Sequence, residues 1–168
     1  VFGNFAPAGG YAGPEDCAVG FAKEQPEACA RMMLAGLSAT KVEYPKHFAE
    51  SGHARRLNDF DEFNEWEDLS QPCQFVKRRS EELGVRLSRK QIMHIVQAVL
   101  ERLGECFRHQ KFQHIMKIVR EYMLNNTQQK GSHVHDALLR HLKAVGVTPQ
   151  DFEECQRLWC NVSFDQLI

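Results

Sequence analysis

Between Ser88 and Leu124 apolar residues return at helical spacing twice in succession, and this stretch constrains the fold more than any other. Ile92, Ile95, Val96, Val99, Leu100, Leu103, Cys106 and Phe107 follow a 3, 4, 7, 8 rhythm. That rhythm places them on one face only if the segment is an α-helix, and the face is wide enough to require burial. Phe112, Ile115, Met116, Val119, Tyr122 and Met123 repeat it, either as a second helix or as a continuation bent near Gly104 or Gln110. No convincing strand signal stands out along the chain, and no Asn-Gly or Asp-Gly pair offers a hairpin turn. The fold class expected is therefore all-α. At 168 residues, 43% of them hydrophobic, the chain can fill one core, so a single-domain bundle of about five to seven helices follows.

Punctuation along the chain divides that bundle. Residues 1–13, rich in Gly and Ala, read as an irregular N-terminal arm, and the helical domain is expected over 14–168. Pro14-Glu15-Asp16 and Pro26-Glu27 put proline and acid where a first helical turn favours them, predicting short helices over 14–24 and 26–38. Residues 39–57, with Pro45 and Ser51-Gly52, read as a connector holding one helical turn or two. Together with the acidic segment after it, this gives a connector and acidic aromatic stretch over 39–70. Pro72 is expected to start a helix that Gly84 stops, and Ser88 to cap the long one. A helix over 133–145 would bury Val134, Leu138, Leu142 and Val145, with Gly146 past its end. Thr148-Pro149-Gln150-Asp151 would cap the last helix, whose inner face is Phe152, Cys155, Leu158 and Trp159.

Charge and composition exclude broad classes. A formal net charge of −1 provides no global field for nucleic acid or an anionic membrane, so either would need a local basic patch. No apolar run approaches the roughly 18 to 20 residues that span a bilayer, and the N-terminus lacks the basic-then-apolar pattern of a secretory leader. Six cysteines, at 17, 29, 73, 106, 155 and 160, form no CxxC, and Cys106 and Cys155 fall on apolar helix faces as small hydrophobes. The expectation is an intracellular protein, cytoplasmic or nuclear, with reduced thiols. Asn125-Asn126-Thr127 and Asn161-Val162-Ser163 would accept glycans if the chain were instead secreted.

Chemistry-bearing residues crowd where the two long helical patterns meet, at Arg108-His109-Gln110-Lys111-Phe112-Gln113-His114. Imidazole titrates near neutrality and guanidinium grips phosphate in a bidentate fork. Arg108 and His114 resemble the R-x4-6-H motif of HEPN-domain ribonucleases, which are all-α. The resemblance covers seven residues. It implies Arg108 stabilising phosphate charge, His114 as general acid or base on a 2′-hydroxyl, His109 as a polar helper, and no metal. Read without it, His109, Lys111, His114 and Lys117 form a solvated helix face. Metal-ligand pairs exist in Cys106-x2-His109, His133-x-His135 and Cys155-x4-Cys160, but a tetrahedral site needs four converging ligands. Residues five apart lie about 140° round a helix, so no metal and no cofactor is expected. Nothing resembles a phosphate-cradling glycine loop, a Ser-His-Asp arrangement or a nucleophile elbow.

Two stretches suit partners instead. Asn58 to Asp68 carries six acids and no base, with Phe60, Phe63 and Trp66 three apart as aromatic anchors for a groove. Lys77, Arg78 and Arg79, with Arg86, Arg89 and Lys90 nearby, form a basic cluster over 77–90 that can meet nucleic-acid phosphates or acidic side chains. The reading favoured is a non-catalytic helical interaction module, an adaptor or scaffold binding a partner protein, alone or in a nucleic-acid-associated assembly. A ribonuclease using Arg108 and His114, and a self-assembling structural protein or homo-oligomer, are the alternatives.

Overall fold

The computed structural model describes residues 25–50, 67–126 and 132–168, with side chains described from 71 and from 136 onward in the last two stretches. The N-terminal arm 1–13, the helix expected over 14–24 and the anchors Phe60, Phe63 and Trp66 lie outside the described residues. Seven helices and no strand occur among those residues: α1 Pro26–Glu43, α2 Pro45–Glu50, α3 Glu67–Glu82, α4 Arg89–Arg108, α5 Gln110–Asn125, α6 Ser132–Ala144 and α7 Pro149–Cys160. The molecule is an all-α bundle.

Caps set most helix ends. Ser88 and Gln91 form a reciprocal capping box at α4, and Thr148 and Asp151 form another at α7, each satisfying orphan first-turn amides. Gly84 and Gly146 take positive φ, 71° and 91°, closing α3 and α6 with paired backbone bonds: Val85 N–H to Ser80 and Gly84 N–H to Glu81, then Val147 N–H to Leu142 and Gly146 N–H to Lys143. The second turn corrects an expectation. Val145 is 47% exposed, and Val147 is buried in its place, because the turn folds the chain back onto Leu142.

Two helix boundaries also differ from expectation. Residues 39–43 continue α1, and α2 begins one residue later, because Pro45 disfavours helical backbone at Tyr44 while being suited to a first helical turn. Pro72 does not start α3, which begins at Glu67; its buried ring sits inside the helix at the cost of the bond its nitrogen cannot donate.

Three helices make the main core. Alanines and Ser38 on α1 keep its packed face small, and the Ser38 hydroxyl donates 2.9 Å to the Leu100 carbonyl on α4 inside the interface. Leu34 of α1, Val76 of α3 and Met93, Val96, Val99 and Leu103 of α4 are fully buried there. The chain breaks between α4 and α5 at His109, which is extended at φ −65° and ψ 133°. In a continuous helix Phe107 and Phe112 would point about 140° apart. The break lets both reach Trp159 of α7, with ring centroids 6.1 and 6.4 Å away and 5.9 Å between the two phenylalanines.

Beyond the break, Ile115, Ile118, Val119 and Tyr122 of α5 pack with Leu138, Leu142, Val147 and Phe152 as a second, smaller cluster. Met116 and Met123, expected on the inner face, belong to neither cluster and are half-buried. No residue of α5 is fully buried.

After α7 the last residues return to α1. Arg31 donates from Nη1 to the carbonyls of Trp159, Cys160 and Val162 at 3.0 to 3.2 Å. One turn earlier on the same face, Glu27 accepts from the Ser163 hydroxyl at 2.9 Å and the Phe164 amide at 2.8 Å. Phe164 is fully buried, edge-on to Phe75 at 5.2 Å.

Candidate functional site

Arg108 ends α4 and His114 lies in the second turn of α5, on opposite sides of the break at His109. Both are exposed, and neither has a hydrogen bond or ion pair among the described residues. Arg108 lines a groove to which His114 does not contribute. His109 turns elsewhere: its Nε2 lies 3.7 Å from Glu154 on α7 and its Nδ1 is buried without a hydrogen-bond partner among the described residues. Glu154 is held chiefly by Lys111, whose Nζ is 2.5 Å away and also reaches Asp151 at 3.1 Å. These contacts depress the Glu154 carboxyl and raise the Lys111 ammonium. Asp151 is held down to about 2, first by the Thr148 hydroxyl, then by the Thr148 amide and Lys111. The crowded basic junction thus contains an ionic clasp between α5 and α7.

Within the basic cluster, Lys77 and Arg78 are exposed on α3, while Arg79 is committed. Its Nε and Nη2 fork onto Asp165 at 2.9 and 2.7 Å, and Nη1 meets Glu82 at 3.0 Å. The carboxylate of Asp165 is lowered by that contact. One of the three cations singled out from sequence therefore fixes the C-terminal segment.

No three His, Cys, Asp or Glu side chains among the described residues gather as a metal site. Cys106 and Cys155 are buried, Cys106 with its thiol 3.5 Å from the Leu158 carbonyl, whereas Cys160 is exposed. Burial raises Cys106 and Cys155 above the ordinary thiol value. Cys29 and Cys73 are also free, and burial pushes Cys73 far upward, which leaves it a core residue rather than a nucleophile. The side chains of His133 and His135 lie outside the described residues, and no described helix is long and apolar enough to cross a membrane.

Two surfaces that the sequence reading did not single out are built here. The first is a strip on α5: Met116, Arg120, Met123 and Leu124 fall within about 100° of arc. Leu124 is 69% exposed. Arg120 binds Glu43 at 2.7 Å and is raised chiefly by it, with a smaller contribution from neighbouring Tyr44, itself 56% exposed. Exposed Lys117 flanks the strip. The one available sequence signal was Leu124, an apolar residue off the stripe of Ile115, Val119 and Tyr122. The second surface is the groove that Arg108 lines, about 700 Å³, between the α1–α2 corner and α4. It depends on α2, so helical periodicity in any one segment could not reveal it. The chain matches no protein-family model, and comparisons with curated proteins and with solved structures find no match.

Proposed function

We propose that the chain is a non-catalytic helical interaction module that binds a partner protein as an adaptor or scaffold. The observation that carries this reading is the strip of Tyr44, Met116, Arg120, Met123 and Leu124, outside both apolar clusters. Tyr, Met and Arg are the residue types enriched at protein interfaces, and Met adapts its shape to a partner. Arg120 is already oriented by Glu43, so little of its freedom remains to be lost on binding. Buried thiols used as core support a reducing compartment. The separate orientations of Arg108, His109 and His114 weigh against catalysis through that motif.

Affinity purification with the wild-type chain and with Leu124→Glu tests the reading. A specific partner should be lost with Leu124→Glu while the thermal midpoint stays unchanged; an unaltered set of partners removes the support of this surface. RNA incubated with the wild-type chain should remain intact. Cleavage that disappears in His114→Ala would replace the binding role with a nuclease.

A further inference from the structure

The corner between α3 and α4 gathers positive charge that the bundle itself leaves largely uncompensated. From Lys77 to Lys90 the sequence holds six cations and two acids, in a chain of formal charge −1. Of the cations, Arg79 is occupied by Asp165 and Glu82. Lys77, Arg78, Arg86 and Lys90 are exposed and have no hydrogen bond or ion pair among the described residues. Glu81, exposed on the same stretch, offsets one of them at most. Arg89 and Lys90 open α4, whose first turn holds no acid. Cations at the positive end of a helix dipole are mildly destabilising, so both gain from a carboxylate brought to them.

Between Arg78 and Arg86 two aliphatic side chains face solvent. Leu83 is 49% exposed and Val85 37%, and neither joins an apolar cluster. The turn that carries them is fixed on both sides: Gly84, at φ 71°, closes α3 through the Gly84 and Val85 amides, and the capping box of Ser88 and Gln91 starts α4. A preformed surface of this kind loses little freedom on binding. Aliphatic groups set among cations suit a ligand that combines carboxylates with large apolar side chains, whereas a phosphate backbone would satisfy the cations and leave Leu83 and Val85 unmatched. The chain itself contains a segment of that description, since Asn58 to Asp68 has six acids, no base, and Phe60, Phe63 and Trp66.

We propose that the acidic aromatic segment of a second copy of this chain docks on the corner. Covalent reach decides against the segment of the same copy. Leu83 follows the last residue of α3, sixteen residues on from Glu67 or about 24 Å at helical rise. Phe63 is only four residues from Glu67 along the chain, at most about 14 Å fully extended, and Trp66 adjoins Glu67. A segment tethered that closely brings neither anchor to the corner of its own chain, and a second copy has no such limit. Two such contacts across a twofold axis close a dimer, and a single repeated one extends a row of copies. The contact uses no residue of the Leu124 strip, so it stands or falls independently of the proposed partner-binding role.

Sedimentation equilibrium of the full chain should show association that grows with concentration and weakens at least tenfold as salt rises from about 50 to about 500 mM, as screened charge contacts do. Arg86→Glu combined with Lys90→Glu should give a monomer with an unchanged thermal midpoint, since acids suit the positive end of α4. Asp61→Lys combined with Glu62→Lys should also give a monomer. Mixing the two variants should restore association, because each then offers the other a segment and a corner of opposite charge, and no defect of folding produces that rescue. A wild-type chain that stays monomeric up to about 1 mM, an association indifferent to both variants, or a mixture that fails to associate overturns the proposal. So does an RNA or DNA oligonucleotide that the wild-type chain binds and the Arg86→Glu, Lys90→Glu variant does not while self-association is absent, since the corner would then serve phosphate. Leu124→Glu should leave self-association unchanged, which separates this contact from the partner-binding strip.

Discussion

Phe164 shows how much one side chain outside every helix contributes. It is fully buried against Phe75, in a segment held by Glu27 and Arg31 and by the fork of Arg79 on Asp165. Truncating a buried phenylalanine usually costs about 3–5 kcal/mol, because the lost transfer energy is joined by an unfilled cavity. Phe164→Ala should therefore lower stability by about that amount in urea unfolding, and a loss below about 1 kcal/mol would show that the C-terminal segment is only loosely seated. Gly104 carries the opposite lesson. Its added Cβ would stand 3.4 Å from both Ser38 Oγ and Val42 Cγ2 and 3.5 Å from Arg108 Nη1, which is ordinary contact. Within α4 an alanine gains about 0.5–1 kcal/mol over glycine, so Gly104→Ala should stabilise by up to that amount. Denaturation midpoints of the two proteins check it, and a fall would mean that α1 cannot yield by the small distance required.

Between elements, the clasp of α5 and α7 is a contact sensitive to pH. Asp151, held down to about 2 by Thr148 and then Lys111, and Glu154, depressed chiefly by Lys111, each have a folded pKa below the unfolded one. Stability from such groups is fully present above the unfolded value, near 4, and is lost as pH falls through the folded value. Thermal midpoints should therefore drop between about pH 4 and pH 2, and the drop should be shallower in Asp151→Asn, whose amide oxygen can still accept from Thr148. An identical pH profile in the variant would show that the clasp adds nothing. The cap half of this arrangement was legible in the sequence, since Thr148-Pro149-Gln150-Asp151 is a local pattern. The apolar face of α4 was equally legible, because eight residues repeat one period. The link from Lys111 to Asp151 and Glu154 was not, since it joins residues some forty positions apart whose meeting depends on the break at His109. The same holds for Arg31, which reads locally as one charge on a helix of small residues but caps a carbonyl cluster far along the chain. For the candidate site, Arg108 could be named from its composition, but its groove could not, because α2 supplies one wall. The Leu124 strip likewise needed Tyr44 to be placed beside α5.

At the scale of the molecule, the two apolar clusters divide the bundle into parts of unequal security. The main cluster joins α1, α3 and α4 with the C-terminal segment and contains every fully buried large side chain named above. The second joins α5, α6 and the start of α7, and its buried members among the described residues are Leu138, Leu142 and Val147. Apart from this small core and the contact of Phe112, at its first turn, with Phe107 and Trp159, α5 is tied to the rest by partly exposed ion pairs, Arg120 with Glu43 and Lys111 with Asp151 and Glu154, and such pairs contribute little each. A region with few buried apolar contacts opens at lower free energy than the region it adjoins. Amide hydrogen exchange should therefore proceed in two tiers, with α6 amides exchanging through a local opening and α4 amides only through global unfolding. Leu142→Ala should speed exchange in α5 and α6 by more than tenfold and leave α4 nearly untouched, whereas Val96→Ala should speed every tier together. Uniform exchange in the wild-type protein would show that the two clusters open as one unit. Two tiers would place the Leu124 strip on the part of the bundle that can adjust its packing when a partner arrives, and Arg108 with its groove on the part that stays fixed.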